Sequence, residues 1–291
     1  NDFGEHEELY AELFKLKKTL FNSSHNITIK GFEVELNFNL ITKDDMNLSF
    51  GGNLATVENE VTKLAKDANG ELIEIETGTR LTTEGQPVAA WNMRKYAGVN
   101  PENGAAQWFL NGKDGELTEV YSEAQKALQD GSALPTLTAG LNIHFDYKGF
   151  FVSSTFTFAA KVWRYDADYE NLYDPGNLGQ FTVGSDLLNA WTPTNSNSDI
   201  PSITAANLGA SGSSDRWIKD ASYVRLRNAQ LGYRFPKKFL EKSLFTDISI
   251  TLQGENLVNF TKWRGFDPES DRTLDVYQYP TPKIYTLGLD L

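Results

Sequence analysis

The sequence predicts an all-β chain, an antiparallel up-and-down transmembrane β-barrel with short turns at one end and long loops at the other. Three observations predict it. Long segments alternate apolar and polar residues one by one, the mark of strands with two unlike faces. The polar faces carry Asn, Thr, Ser, Gln and Glu at nearly every position, as the lining of a wet or plugged lumen would. The connections alternate between short and long, so a meander gathers the short ones at one end.

The clearest strand is "GFEVELNFNL", where Phe32, Val34, Leu36, Phe38 and Leu40 alternate with Glu33, Glu35, Asn37 and Asn39. A turn at Thr42–Asp45 leads into Met46, Leu48 and Phe50, so the pair reads as a hairpin. The unit recurs. Leu141, Ile143, Phe145 and Tyr147 alternate with polar residues, Lys148–Gly149 turns the chain, and Phe150, Val152, Phe156 and Phe158 return. Ile248, Ile250 and Leu252 form a further set, and Tyr285, Leu287, Leu289 and Leu291 end the chain. Weaker strands are expected at Val88–Ala97 and Ala105–Leu110, for about nine in all. Short connections fall at Thr42–Asp45, Gly98–Gly104, Lys148–Gly149 and Pro236–Thr246. Long ones fall at Glu58–Pro87, Asn111–Pro135, Trp163–Asp220 and Thr261–Pro282.

One strand changes step. In "SYVRLRNAQLGYRF" the apolar residues are Val224 and Leu226, then Ala229, Leu231, Tyr233 and Phe235. A barrel's apolar band is only about 25 Å tall, so one reading lifts Tyr223–Arg227 above it, with Arg225 and Arg227 turned toward lipid headgroups. The other is a β-bulge near Arg227–Asn228. The facing expected of the whole sheet follows from the alternation. Phe32, Val34, Leu36, Phe38, Leu231, Tyr233, Ile250, Leu252, Leu287 and Leu289 point outward, and Glu33, Glu35, Asn37, Asn142, Ser249, Gln253 and Thr286 point inward.

Composition narrows the function classes. A net charge of −12 argues against a nucleic-acid partner. With no cysteine in 291 residues, disulfide scaffolds and thiolate metal sites are excluded. No run approaches the ~20 apolar residues of a membrane helix, which leaves a strand-built membrane protein open.

The segments "DASYVRLRNAQLGYRFPKKFL", "ISITLQGENLVNFTKWRGFDPES" and "YPTPKIYTLGLDL" together resemble the last strands of SusC/RagA-type TonB-dependent outer-membrane transporters. "KGFEVELNFNL", "YAGVNPENGAAQWF" and "PTLTAGLNIHFDYKGFFVSSTF" fit the same pattern, so the resemblance runs from about Lys30 to Leu291. The family barrel has roughly 22 strands around a plug. The resemblance implies that this chain holds its C-terminal part, with residues 27–291 as barrel and residues 1–26 as the partly helical end of an extracellular loop. The plug domain and the segment that contacts TonB are expected to be absent from the chain. The implied function is uptake of oligosaccharides or peptides across a bacterial outer membrane, as a multi-pass barrel in lipid. The implied partners are a SusD-like surface lipoprotein and TonB. Two other readings stand beside it: a soluble carbohydrate-binding β-sandwich module, and a membrane β-barrel enzyme such as a phospholipase.

No catalytic motif supports an enzyme: there is no G-x-S-x-G, H-E-x-x-H or P-loop, and His6, His25 and His144 lie far apart. No cofactor is called for. Trp163, Trp191 and Trp217 lie in or beside the longest loop and are the candidate ligand-binding aromatics, since ring faces stack on sugars. The alternative is that they pack the loop or stand in an interfacial belt. "DADYENLYD" gathers Asp166, Asp168, Glu170 and Asp174, an oxygen-rich set of the kind Ca²⁺ uses. It lacks the EF-hand glycine and spacing, and a solvated loop is the other reading.

Overall fold

A computed structural model describes residues 25–204, 212–241, 243–270 and 279–291. The loop end expected over residues 1–26 therefore lies almost wholly outside the described residues.

Seven strands form one sheet: β1 (Asn26–Lys43), β2 (Met46–Lys63), β3 (Leu137–Tyr147), β4 (Phe150–Ala160), β5 (Tyr223–Arg234), β6 (Ser249–Thr261) and β7 (Ile284–Asp290). They lie side by side in chain order, and every neighbouring pair is antiparallel. This is an up-and-down meander. Lys148 and Gly149, both at positive φ, close the β3–β4 hairpin as a two-residue turn whose twist suits the strands it joins. Neighbouring turns are stitched together, with the Lys148 N–H donating to the Asp45 carbonyl at 2.9 Å.

The registers carry one apolar face across the sheet. Leu48, Phe145, Val152, Leu231, Leu252 and Leu287 lie opposite one another in succession. One step toward the turns, Met46, Tyr147, Phe150, Tyr233, Ile250 and Leu289 do the same. That row is rich in aromatics, and the Phe150 and Tyr233 rings sit 4.5 Å apart, as in the girdle of a barrel at the bilayer interface. The opposite face carries the row Ser49, His144, Ser153, Gln230, Gln253 and Thr286. Nothing packs on the apolar face among the described residues: Leu252 is 53% and Leu287 77% exposed. A sandwich would bury this face under a second sheet, so the β-sandwich reading fails. The lumen side has its own packing. Phe151 lies over Gly232, where a Cβ would come within 2.2 Å of its ring.

The step in β5 is a bulge. Thr155 pairs with Asn228, but its neighbour Phe156 pairs with Leu226, so Arg227 is skipped. The partner on the other side, β6, is irregular at the same level, with Asn256 at φ 52°. The extra residue restores the facing. Val224 and Leu226 stay on the apolar side with Phe158, Phe156, Phe260 and Val258. Arg225 lies opposite Thr157 and Asn259 on the polar side. The headgroup-facing placement of Arg225 and Arg227 is thus corrected. Both side chains are on the lumen side, held by carboxylates.

The count of about nine strands becomes seven in the main sheet. Ala90–Met93, Tyr96–Val99 and Ala106–Phe109 do form, but in small sheets beyond its edge. Short polar-bounded alternation is common to both settings, and only long-range pairing tells them apart. The Gly98–Gly104 turn therefore belongs to the loop end. The two expected loops around it are one excursion from residue 64 to 136. It shares its end of the sheet with the β4–β5 and β6–β7 connections. These loops form a layer with its own core, built on Trp91, Met93, Tyr165, Tyr173, Leu187, Ile200 and Trp217. Trp163–Tyr165 pairs with Ile218–Asp220 and closes the neck of the β4–β5 loop.

Candidate functional site in the loop layer

A short helix organises the β4–β5 loop. The Asp166 carboxylate accepts from the Tyr169 backbone N–H at 2.9 Å and caps α1 (Ala167–Leu172). Tyr169 and Tyr173 are one turn apart, so they share a face. Their rings lie 4.4 Å apart, and both meet Trp217 edge-on. The Tyr169 hydroxyl donates to the Tyr173 hydroxyl, which donates to Asp186 Oδ2, each at 2.6 Å. Arg264, from the β6–β7 loop, donates to Asp186 Oδ2 at 3.0 Å and to the Tyr169 oxygen, with its guanidinium 4.4 Å over the Tyr169 ring. Leu172 and Phe266 add apolar wall, and together these groups line a cleft of about 360 Å³.

The cleft's electrostatics are set by these contacts. The Tyr173 hydroxyl and then Arg264 hold the Asp186 carboxyl below the usual range. Burial, then the Asp186 hydrogen bond, pushes Tyr173 far up, so it stays a donor. Behind it, the Tyr165 hydroxyl donates to Glu170 at 2.6 Å and Ser213 donates at 3.3 Å. Burial nonetheless raises Glu170. The arrangement offers a fixed charge pair beside ring and aliphatic surface, which suits holding a polar ligand.

Arg264 is placed by the "GFDPES" turn. Arg225 reaches Asp267 with two N–H groups, at 2.5 and 3.3 Å, and Arg227 grips Glu269. Asp267 also accepts from the Thr281 hydroxyl at 2.5 Å and the Glu269 N–H at 2.9 Å. Burial alone would raise the Asp267 carboxyl, but Arg225 and these donors hold it low. The β5 bulge thus serves the loop layer by aiming two arginines at the segment that carries Arg264.

The residues expected to bind ligand are not brought together. Trp217 is 0% exposed, with its indole N–H donating to the Gly212 carbonyl. Trp191 lies against Gly104 and donates to the Pro101 carbonyl, while Trp163 covers Gly131 with part of its ring exposed. Nor do the carboxylates of "DADYENLYD" converge. Asp166 caps α1 and, with Asp168, lines the cleft, while Asp174 accepts from the Gly176 N–H at 2.9 Å and Glu170 holds Tyr165 and Ser213. Among the described residues no group of three or more His, Cys, Asp or Glu side chains is placed to hold a metal. Sequence reasoning missed Tyr169, Tyr173, Asp186 and Arg264. The i, i+4 tyrosines were a local signal, but Arg264 lies 95 residues along the chain from Tyr169 and 78 from Asp186.

No protein-family model matches the chain. Among curated proteins it is similar to TonB-dependent receptor P3 of Formosa agariphila, at 29% identity over 90% of this chain and 28% of the relative. It is also similar to TonB-dependent receptor SusC of Bacteroides thetaiotaomicron, at 28% identity over 90% of the chain and 26% of the relative. Among solved structures, the RagAB peptide transporter superposes with a TM-score of 0.81 at 26% identity, covering 91% of this chain and 29% of that one. The RagAB importer in its open-open state gives a TM-score of 0.80 at the same identity, over 91% and 28%. The chain spans under a third of the length of the relatives it matches.

Proposed function

We propose that the chain, of the SusC/RagA type of TonB-dependent transporter by its likeness to these relatives, supplies C-terminal barrel wall and extracellular loops to an outer-membrane nutrient importer. The observation that carries this is the continuous apolar face across seven strands, backed by a polar face and crowned at one end by a packed loop layer. In this reading the belt meets outer-membrane lipid, the Asp44–Asp45 and Lys148–Gly149 turns face the periplasm, and the cleft opens outside. The cargo is an oligosaccharide or a peptide, the named relatives being TonB-dependent receptors and a peptide transporter. The protein moves its ligand without transforming it. TonB drives the step.

A SusD-like lipoprotein caps the loop layer. The loop Trp163–Asp220 is the proposed docking element, because it displays apolar residues outward: Phe181 is 70% and Leu188 90% exposed. The test is extraction and co-purification. The protein should fractionate with outer membranes, require detergent, and bring the lipoprotein with it. Phe181→Asp with Leu188→Asp should weaken that association while the barrel stays inserted. Recovery in the soluble fraction would refute the importer reading. Unchanged co-purification of the double variant would refute this loop as the dock.

A further inference from the structure

A second and larger cavity, of about 740 Å³, lies in the loop layer against Trp91 and Tyr165 of its core. It is bounded by the Thr77–Arg80 turn, Val88–Trp91, the segment Ala133–Pro135, and Arg164 with Tyr165. Its charge is unusual for this protein. In a chain of net charge −12, its lining residues include two arginines, Arg80 and Arg164, and no Asp or Glu. Arg80 is built in. Its guanidinium lies 3.4 Å over the Trp91 ring, and it donates to the Ala89 carbonyl at 3.1 Å. Trp91 is itself buried in the loop core, so the arginine stands on a rigid floor. Arg164 stands on the Trp163–Tyr165 strand that closes the neck of the neighbouring loop.

We propose that this cavity is a binding subsite for a carboxylate-bearing ligand, seated between Arg80 and Arg164. An arginine offers five donors in a planar fork that matches a carboxylate. Burial, then the Arg164 charge, lowers Arg80 to about 10, still protonated at neutral pH. The volume lies within the range of pockets that enclose small ligands, leaving room for the body that bears the anion. As the charge class of an imported cargo, the inference rests on the import reading. As a binding site, it stands on the cavity alone. The carboxylate has two sources, an acidic oligosaccharide or an acidic peptide.

The test uses the purified, detergent-solubilised protein and isothermal titration at low salt. The probes are trigalacturonate, its methyl ester, triglutamate and neutral maltotriose. Trigalacturonate or triglutamate should bind, and the tighter of the two identifies the source. The methyl ester keeps the body and removes the charge, so it should bind at least tenfold more weakly than its acid. Arg164→Gln, and separately Arg80→Lys, should each weaken the acid about tenfold, with unfolding midpoints recorded alongside. If both acids fail to bind, or the methyl ester binds within threefold of its acid, the proposal is overturned. The ester comparison uses unaltered protein and holds even if a variant misfolds. Uptake by cells is scored separately, so loss of transport with binding intact counts against the import reading alone.

Discussion

Removing the Asp267 carboxylate should destabilise the protein through the charge it leaves behind. The side chains of Arg225 and Asp267 are 5% and 8% exposed, and the carboxylate takes two N–H groups from Arg225 as well as the Thr281 hydroxyl and the Glu269 N–H. Breaking a buried pair from one side costs roughly 3–5 kcal/mol, because the remaining charge is uncompensated. Glu269 lies 3.5 Å from Arg225 and partly takes over, which places Asp267→Ala near the lower end, about 3 kcal/mol. Pairing it with Arg225→Met removes the orphaned charge and should recover all but about 1 kcal/mol, since apolar replacement of a buried pair is often nearly neutral. The assay is equilibrium urea unfolding of the detergent-solubilised protein, read by tryptophan fluorescence. A single variant within about 1 kcal/mol of the parent, or a double variant no more stable than the single, would refute the reasoning.

Three further outcomes follow from the same structure. Leu231→Arg, on the apolar belt, should cost about 2–4 kcal/mol of stability in lipid, while Gln230→Arg on the lumen face should cost little; equal effects in bilayer folding assays would mean the faces are misassigned. Gly232→Ala should destabilise by about 1–3 kcal/mol, since the new Cβ would displace the Phe151 ring, and a neutral melting shift would contradict that contact. The pH dependence has two opposite parts. Asp267 is held low in the fold, so its stabilisation is complete above the ordinary carboxylate range and is lost as pH falls through the folded value. Glu170 is raised by burial, so it burdens the fold at neutral pH and is relieved as pH falls. Glu170→Gln should therefore raise the urea midpoint at pH 7 and lose that advantage below about pH 4. An advantage that persists in acid would rule out the charge as its cause.

Much of this architecture was legible along the chain, because a strand's side-chain period is a local property. The alternation of Phe32–Leu40, Leu141–Tyr147 and Tyr285–Leu291 determined strands with one apolar and one polar face, and the alternating connections determined the meander. What the period cannot carry is partnership. Val88–Ala97 and Ala105–Leu110 alternate as barrel strands do, but they pair within the loop layer, and only hydrogen-bonding neighbours far along the chain decide between the two. The same holds for the broken step at Arg227. Its sequence fits a rise above the membrane and a bulge equally well. Pairing with β4 and β6 selected the bulge, which turned Arg225 and Arg227 inward to carboxylates some forty residues away. The sites depended most on tertiary structure. Trp217 carries a residue type that binding uses, but it is packed in the loop core, while Asp166 caps a helix at the edge of the cleft. The cleft joins Tyr169 to Arg264, and the cavity joins Arg80 to Arg164, because folding brings distant loops together. Composition and spacing have no means of recording that convergence.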